Sequence, residues 1–270
     1  MIWHHKAVVS RAKTVLVIVD LPAGSYEKSP AQARYSAQKI MAETGADGVK
    51  LEGGQSMRKQ VASLTAAGIP VMGHIGLLPQ QVASPKLFAV VGRTEESIAQ
   101  LHLDKEALVD AGAFAIVCEG MVEPFALSIA LSCPVPTIGI GASCACDGQI
   151  LVSEDMLGLF DDFKPKFVHQ FSNLSFIITA AAAAYRQAVS DRTFPAEHNL
   201  YCSISHKDCN RAAELICAIT EIRCIKSRYS RRWISKPDNV YQTGMGPWAL
   251  GEGGGANIRG QHIRIAMFAE

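Results

Sequence analysis

From Thr14 to about Val168 short apolar runs alternate with longer stretches of helical spacing. The strand-like runs are Val15–Val19, Gly48–Leu51, Pro70–Met72, Phe114–Cys118, Thr137–Ile140 and Lys166–Val168. Helical runs lie between them at Pro30–Thr44, Ser56–Ala67, Glu95–Ala111 and Pro124–Leu131. Several helical runs end at a glycine (Gly45, Gly68, Gly112), the residue that takes φ > 0 past a helix end without a steric penalty. Strands separated by helices of this length must run parallel with right-handed crossovers. This pattern predicts an α/β fold built on a parallel sheet. With nearly half of its 270 residues apolar, the chain has enough material for a sizeable core.

Two of the runs end in a carboxylate, Asp20 in Val17–Pro22 and Glu52 in Gly48–Gly54. In an α/β barrel the strand C-termini converge on one face. There the two acids become oxygen ligands for a hard cation such as Mg²⁺. Each acid alone is more often a loop residue or a helix cap; together, on successive strands, they point to a site. Lys50 lies two residues before Glu52 and so shares its side of the strand. The Gly53–Gly54 pair allows a tight turn or close approach of a ligand. His74 follows the next strand between Gly73 and Gly76. Alone it reads as a half-buried histidine, but in this company it reads as a near-neutral donor to an anionic oxygen. Glu119 ends Ile116–Gly120, and a glutamate in a partly desolvated pocket has the raised pKa that suits a general base. Glu123 better fits the first turn of a helix. Thr137–Ala142 followed by Cys146–Gln149 is a glycine-rich turn fit to cradle a phosphate or carboxylate, without the spacing of a P-loop.

The formal net charge of +1 gives no reason to expect nucleic acid or an acidic membrane as partner. No apolar stretch is long enough to span a bilayer, and the first residues lack the order of a signal peptide. These features predict a soluble, cytoplasmic protein. Its eight cysteines form no CxxC pair and read as free thiols rather than zinc ligands. A further helix is expected at Leu174–Ser190. After Pro195 the character changes. Residues 201–270 hold ten Lys/Arg and six Asp/Glu, a charge of +4 against −3 for residues 1–200. One helix, Asn210–Ile222, is expected there, and Gly251–Gly255 reads as a flexible linker. The expected boundary gives domains 1–199 and 200–270, the second an irregular, poorly ordered tail.

With these pieces in hand the chain resembles the ketopantoate hydroxymethyltransferases. The matching runs are VDLP (Val19–Pro22), VKLEGG (Val49–Gly54), GHIGLLPQ (Gly73–Gln80), EGMVEP (Glu119–Pro124) and PTIGIGASCACDGQILV (Pro136–Val152). DMLGLFDDFKPKFV (Asp155–Val168) and FPAEH (Phe194–His198) match too, all collinear over roughly residues 1–199. The resemblance implies a (β/α)₈ TIM barrel, Mg²⁺, and one-carbon transfer from 5,10-methylenetetrahydrofolate to 3-methyl-2-oxobutanoate in pantothenate biosynthesis. It implies Asp20 and Glu52 at the metal, Asp20, Lys50 and His74 at the 2-oxo acid, and Glu119 as the base. It also implies small-molecule partners only and a homo-oligomer.

The family pattern carries two more strand–helix units ahead of the segment matching Met1, with a Gly-Asp-Ser turn that this sequence lacks. Leu78 stands where a threonine is common, and Val82–Val91 lacks a usual Gly-Gly. The expectation is therefore six of eight barrel strands, two open sheet edges and weakened Mg²⁺ binding. The rival expectation is a non-catalytic remnant or pseudoenzyme of the same family. The tail's composition resembles frame-shifted translation.

Overall fold

The structure, a computed structural model, describes residues 1–84, 88–160, 163–201, 251–252, 256–258, 261–263 and 265–268. Six parallel strands follow one another in sequence and in space: β1 (Leu16–Asp20), β2 (Gly48–Glu52), β3 (Val71–Gly76), β4 (Ala115–Glu119), β5 (Thr137–Ile140) and β6 (Gly148–Gln149). Helices α1 (Ile2–Arg11), α2 (Pro30–Thr44), α3 (Arg58–Ala66), α4 (Glu95–Asp110), α5 (Glu123–Ser132) and α6 (Ser153–Leu157) accompany them. The sheet is the curled half-barrel of an incomplete TIM barrel. By compactness the chain forms two units, Met1–Ser175 with Gly246–Glu270, and Phe176–Met245. Helix α7 (Leu174–Ser190) falls almost wholly in the second.

Local chemistry sets these elements. Helix α2 starts where the Ser29 side chain accepts a hydrogen bond from the Gln32 N–H and Pro30 occupies the first turn; it ends at Gly45, φ +76°. Thr94 caps α4 in the same way, and Glu95 and Glu96 complement the helix dipole. Two strand starts are pinned by an aspartate from the turn that leads into the neighbouring strand. Val17 N–H donates to Asp47 Oδ2 at 2.8 Å, and Thr137 N–H to Asp147 Oδ2 at 2.8 Å.

Strand alternation divides the core into two layers. Val19, Val49, Leu51, Val71, Ile75, Ile116 and Cys118 face the helices and pack with Ala33, Ala37, Val61, Leu64 and Leu108. Ile18, Met72, Ala115, Val117, Ile138 and Ile140 form the smaller inner layer. Asp20, Lys50, Glu52, His74 and Glu119 keep the parity of that inner set.

Several expectations need correction. Lys166–Val168 is a turn, not a strand. Pro165 has no N–H for a ladder, and its carbonyl instead accepts from Val168 N–H at 3.1 Å. The sixth strand is Gly148–Gln149, paired parallel with β5. The helix expected from Ser56 opens with a 3₁₀ turn, Gln55–Met57. β3 runs to Gly76, so His74 lies within the strand and not after it. Gly251–Glu252 is a short strand, β7, not a linker. It pairs antiparallel with the final strand, Ile265–Phe268. Strands β8 (Ala256–Ile258) and β9 (Gln261–Ile263) pair with each other, and Ile265–Phe268 is β10. β10 lies parallel to β1, with Leu16 opposite Ile265, so the β1 edge expected to be open is paired. Ladder pairing needs only backbone groups, which the tail supplies without a side-chain period. The helix expected at Asn210–Ile222 lies outside the described residues.

Candidate active site

Asp20, Glu52 and Glu119 are the last residues of β1, β2 and β4, and Lys50 and His74 sit one pleat deeper or on the next strand. The register makes Asp20 the neighbour of Lys50, and Glu52 the neighbour of His74. All five line one cavity of about 410 Å³. The remaining wall is largely apolar and includes Leu77, Phe88, Ile140, Ile150 and Phe167, with Lys166 at its border.

The five groups form a connected set. Lys50 Nζ lies 2.6 Å from Asp20 Oδ2 and 3.2 Å from His74 Nδ1. An ammonium only donates, so Nδ1 accepts and the imidazole carries its proton on Nε2. That Nε2 lies 3.2 Å from Glu119 Oε2 without hydrogen-bond alignment. His74 Nδ1 is 3.8 Å from Glu52 Oε1. The second Glu52 oxygen accepts from Gln80 N–H at 3.0 Å. Asp20 Oδ1 is buried with no hydrogen-bond partner.

Burial sets the electrostatics. Desolvation raises Glu52 to about 7, against the pull of Lys50 and with the push of Asp20. It raises Glu119 to about 7 as well, again opposed by Lys50. His74 is fully enclosed, and desolvation together with the Lys50 charge holds its pKa well below the usual imidazole value. The site thus pairs a fixed cation with acids poised near neutrality and a neutral imidazole, the combination that supports proton transfer at pH 7.

The structure brings all five residues to one place; Gly53 (φ +117°) makes the tight turn expected of the Gly53–Gly54 pair, whereas the other glycines serve packing. Gly73 faces Leu108, whose Cδ1 would lie 2.6 Å from an added Cβ, so it serves helix packing. Gly76 (φ +101°) passes against the Glu119 carbonyl, and Gly54 against the Asp104 side chain. In the glycine-rich turn Gly139 is covered by Gln149 and Cys146, and Gly141 by Phe167. None of these leaves an open cradle. Two residues went unrecognised. Tyr26, fully buried, accepts from Glu52 N–H at 3.3 Å and donates to Gln80 Oε1 at 3.0 Å. Gln80 also donates through Nε2 to Leu21 O at 3.0 Å, so it ties the β1 end to the Glu52 carboxylate. The PQ of GHIGLLPQ was the available signal for Gln80; nothing near Tyr26 marks it.

Parallel strands with charged groups gathered at their C-terminal ends define an enzyme of the α/β-barrel type. The family model described as ketopantoate hydroxymethyltransferase matches residues 1–197, and the chain belongs to that family. The 3-methyl-2-oxobutanoate hydroxymethyltransferase of Rhizobium rhizogenes is 51% identical over 201 residues, 74% of this chain and 74% of that protein. The same enzyme of Sinorhizobium medicae is 52% identical over 195 residues, covering 72% of this chain and 71% of the relative. That of Brucella suis is 49% identical over 201 residues, 74% and 73% of the two chains. The chain is therefore a member of a transferase family with small-molecule substrates. No helix among the described residues is long and apolar enough to cross a membrane.

Proposed function

We propose that residues 1–199 carry out the reaction named for these relatives. A one-carbon unit passes from 5,10-methylenetetrahydrofolate to C3 of 3-methyl-2-oxobutanoate, giving 2-dehydropantoate. The observation that carries this reading is the convergence of Lys50, His74 and a Glu119 poised near pH 7 in one apolar-walled cavity. Residues 200–270 lie outside this function, and the working form is a cytoplasmic homo-oligomer.

The resemblance also implies Mg²⁺. Among the described residues no three His, Cys, Asp or Glu gather as a ready-made cage. The protein side is then Asp20 and Glu52, and the unpartnered, buried Asp20 Oδ1 fits such a role. Two carboxylates suit magnesium, which is commonly held by one or two of them with waters and substrate oxygens. When bound, Mg²⁺ polarises the 2-oxo group and acidifies the neighbouring C–H.

The chain's own residues do the rest. Glu119 as carboxylate takes the C3 proton. His74, neutral, donates from Nε2 to an oxygen in the cavity. The Lys50 ammonium offsets negative charge on the 2-oxo acid as it enolises. The apolar wall shields the carbanion-like carbon from protonation by bulk solvent. One water is consumed in the transfer: it supplies the hydroxyl oxygen as both C–N bonds of the folate methylene break, C3 bonds to that carbon, and tetrahydrofolate leaves with its nitrogens protonated.

Proton NMR of 3-methyl-2-oxobutanoate in D₂O with Mg²⁺ tests enolisation without folate. Loss of the C3 proton signal, abolished by EDTA and by Glu119→Gln, is the expected result. Exchange no faster than the metal-only blank would defeat this proposal and favour a non-catalytic member of the family.

A further inference from the structure

Asp20 is the acid best placed to receive a divalent cation, yet one of its oxygens is already taken by a cation. Lys50 Nζ sits 2.6 Å from Oδ2, and both side chains are about 6% exposed. This pairing is built into the ladder: Asp20 and Lys50 are register partners on β1 and β2, and both keep the inner parity of their strands. The ammonium is also tied to His74 Nδ1 at 3.2 Å. Asp20 Oδ1, by contrast, is buried without a partner. A divalent ion that takes Asp20 through Oδ1 therefore arrives beside a fixed positive charge, and it competes for the only carboxylate in salt-bridge contact with that charge among the described residues. An ammonium left buried without a counter-ion is costly.

We propose that Lys50 is the resident counter-ion of Asp20, displaced by the divalent cation and recaptured by the carboxylate of the 2-oxo acid. This rests on the assignment of Asp20 as a metal ligand under the proposed function. Three consequences follow from the charges alone. The metal binds weakly by itself, because it competes with an internal cation. The 2-oxo acid strengthens metal binding, because it gives the released ammonium an anion. By linkage the metal strengthens 2-oxo acid binding by the same factor. Lys50 then acts twice: as a brake on metal entry when substrate is absent, and as a substrate contact when it is present.

Chelation of the metal by the 2-oxo acid would couple the two ligands without any lysine, so the decisive readout is metal affinity in the absence of substrate. Free Mn²⁺, followed by its EPR signal, is titrated with wild-type chain, Lys50→Met, Lys50→Gln and Asp20→Asn, each verified as folded by circular dichroism. The lysine variants are expected to bind Mn²⁺ about tenfold tighter than wild type, as expected when a like charge a few ångströms away is removed. Their gain in affinity on adding 3-methyl-2-oxobutanoate is expected to shrink. Equal or weaker Mn²⁺ binding by Lys50→Met and Lys50→Gln would overturn the inference. If neither variant folds, wild-type chain carrying ¹³Cε-lysine decides: Mg²⁺ must shift one lysine resonance, and no shift at saturating Mg²⁺ overturns it. Asp20→Asn separates the two readings. If it binds Mn²⁺ as wild type does, the metal assignment itself fails. If it loses Mn²⁺ while the lysine variants gain nothing, only the present inference fails.

Discussion

Replacing Glu119 by glutamine removes a charge that burial makes expensive, so the variant should lose chemistry and gain stability. Glu119 is 13% exposed at its side chain, and desolvation lifts its carboxyl from an ordinary value of 4.5 to about 7. Below pH 4.5 the carboxyl is protonated in both the folded and unfolded chain, and glutamic acid and glutamine differ little. Between pH 4.5 and 7 the unfolded chain ionises while the folded chain stays neutral, so wild type loses stability as pH rises. Above pH 7 both are ionised and the loss is complete. The two pKa values correspond to about 3 kcal/mol at full loss, and to about 1 kcal/mol at pH 5. Urea unfolding of wild type and Glu119→Gln at pH 5 and pH 8 measures the difference directly. The variant should be the more stable by roughly 3 kcal/mol at pH 8, with most of the gain gone at pH 5. Its C3–H exchange should fall by about 10²–10⁴-fold, the usual contribution of a positioned general base. A stability gap of equal size at both pH values would refute the reasoning, since it would show that the glutamate ionises alike in the folded and unfolded chain.

The opposite sign is expected at Asp20. Asp20→Asn strands the buried Lys50 ammonium and should cost roughly 3–5 kcal/mol by denaturant unfolding, much of it recovered in the Asp20→Asn/Lys50→Met pair. Tyr26→Phe leaves the Glu52 N–H and the Gln80 side chain without their shared hydroxyl, at a cost of about 1–3 kcal/mol. Gly76→Ala combines φ +101° with a methyl driven into the Glu119 carbonyl; a loss of roughly 2–6 kcal/mol should appear as a large fall in folded yield or melting temperature.

Much of the scaffold was legible because its signals are local. The run Pro30–Thr44, closed by Gly45, was read as a helix, and the structure has the same bounds. The five polar residues were legible because a strand ending in a carboxylate is a short pattern, and barrel topology gathers such ends. What escaped depends on distant partners. Gly73 sits beneath Leu108 and Gly54 beneath Asp104, and nothing in the glycine runs themselves names the helix that covers them. Tyr26 and Gln80 lie 54 residues apart and meet only because the β1 and β3 loops fold over one strand end. Lys166–Val168 failed for a local reason that was readable, the proline just before it. The pairing of β10 with β1 was not, since it rests on backbone groups that every residue carries.

The division of each strand into a helix-facing and an inner side has a consequence for how such a gene would age. The apolar groups that hold the fold lie mostly on one side, and the acids proposed to do its chemistry lie on the other. Glu52 and Glu119 each carry a burial penalty. Substitutions that neutralise them would make the chain easier to fold, not harder. Drift without selection for the reaction should therefore strip Glu52 and Glu119 while sparing the scaffold and the Asp20–Lys50 pair, so in this architecture function is the first thing that neglect would erase.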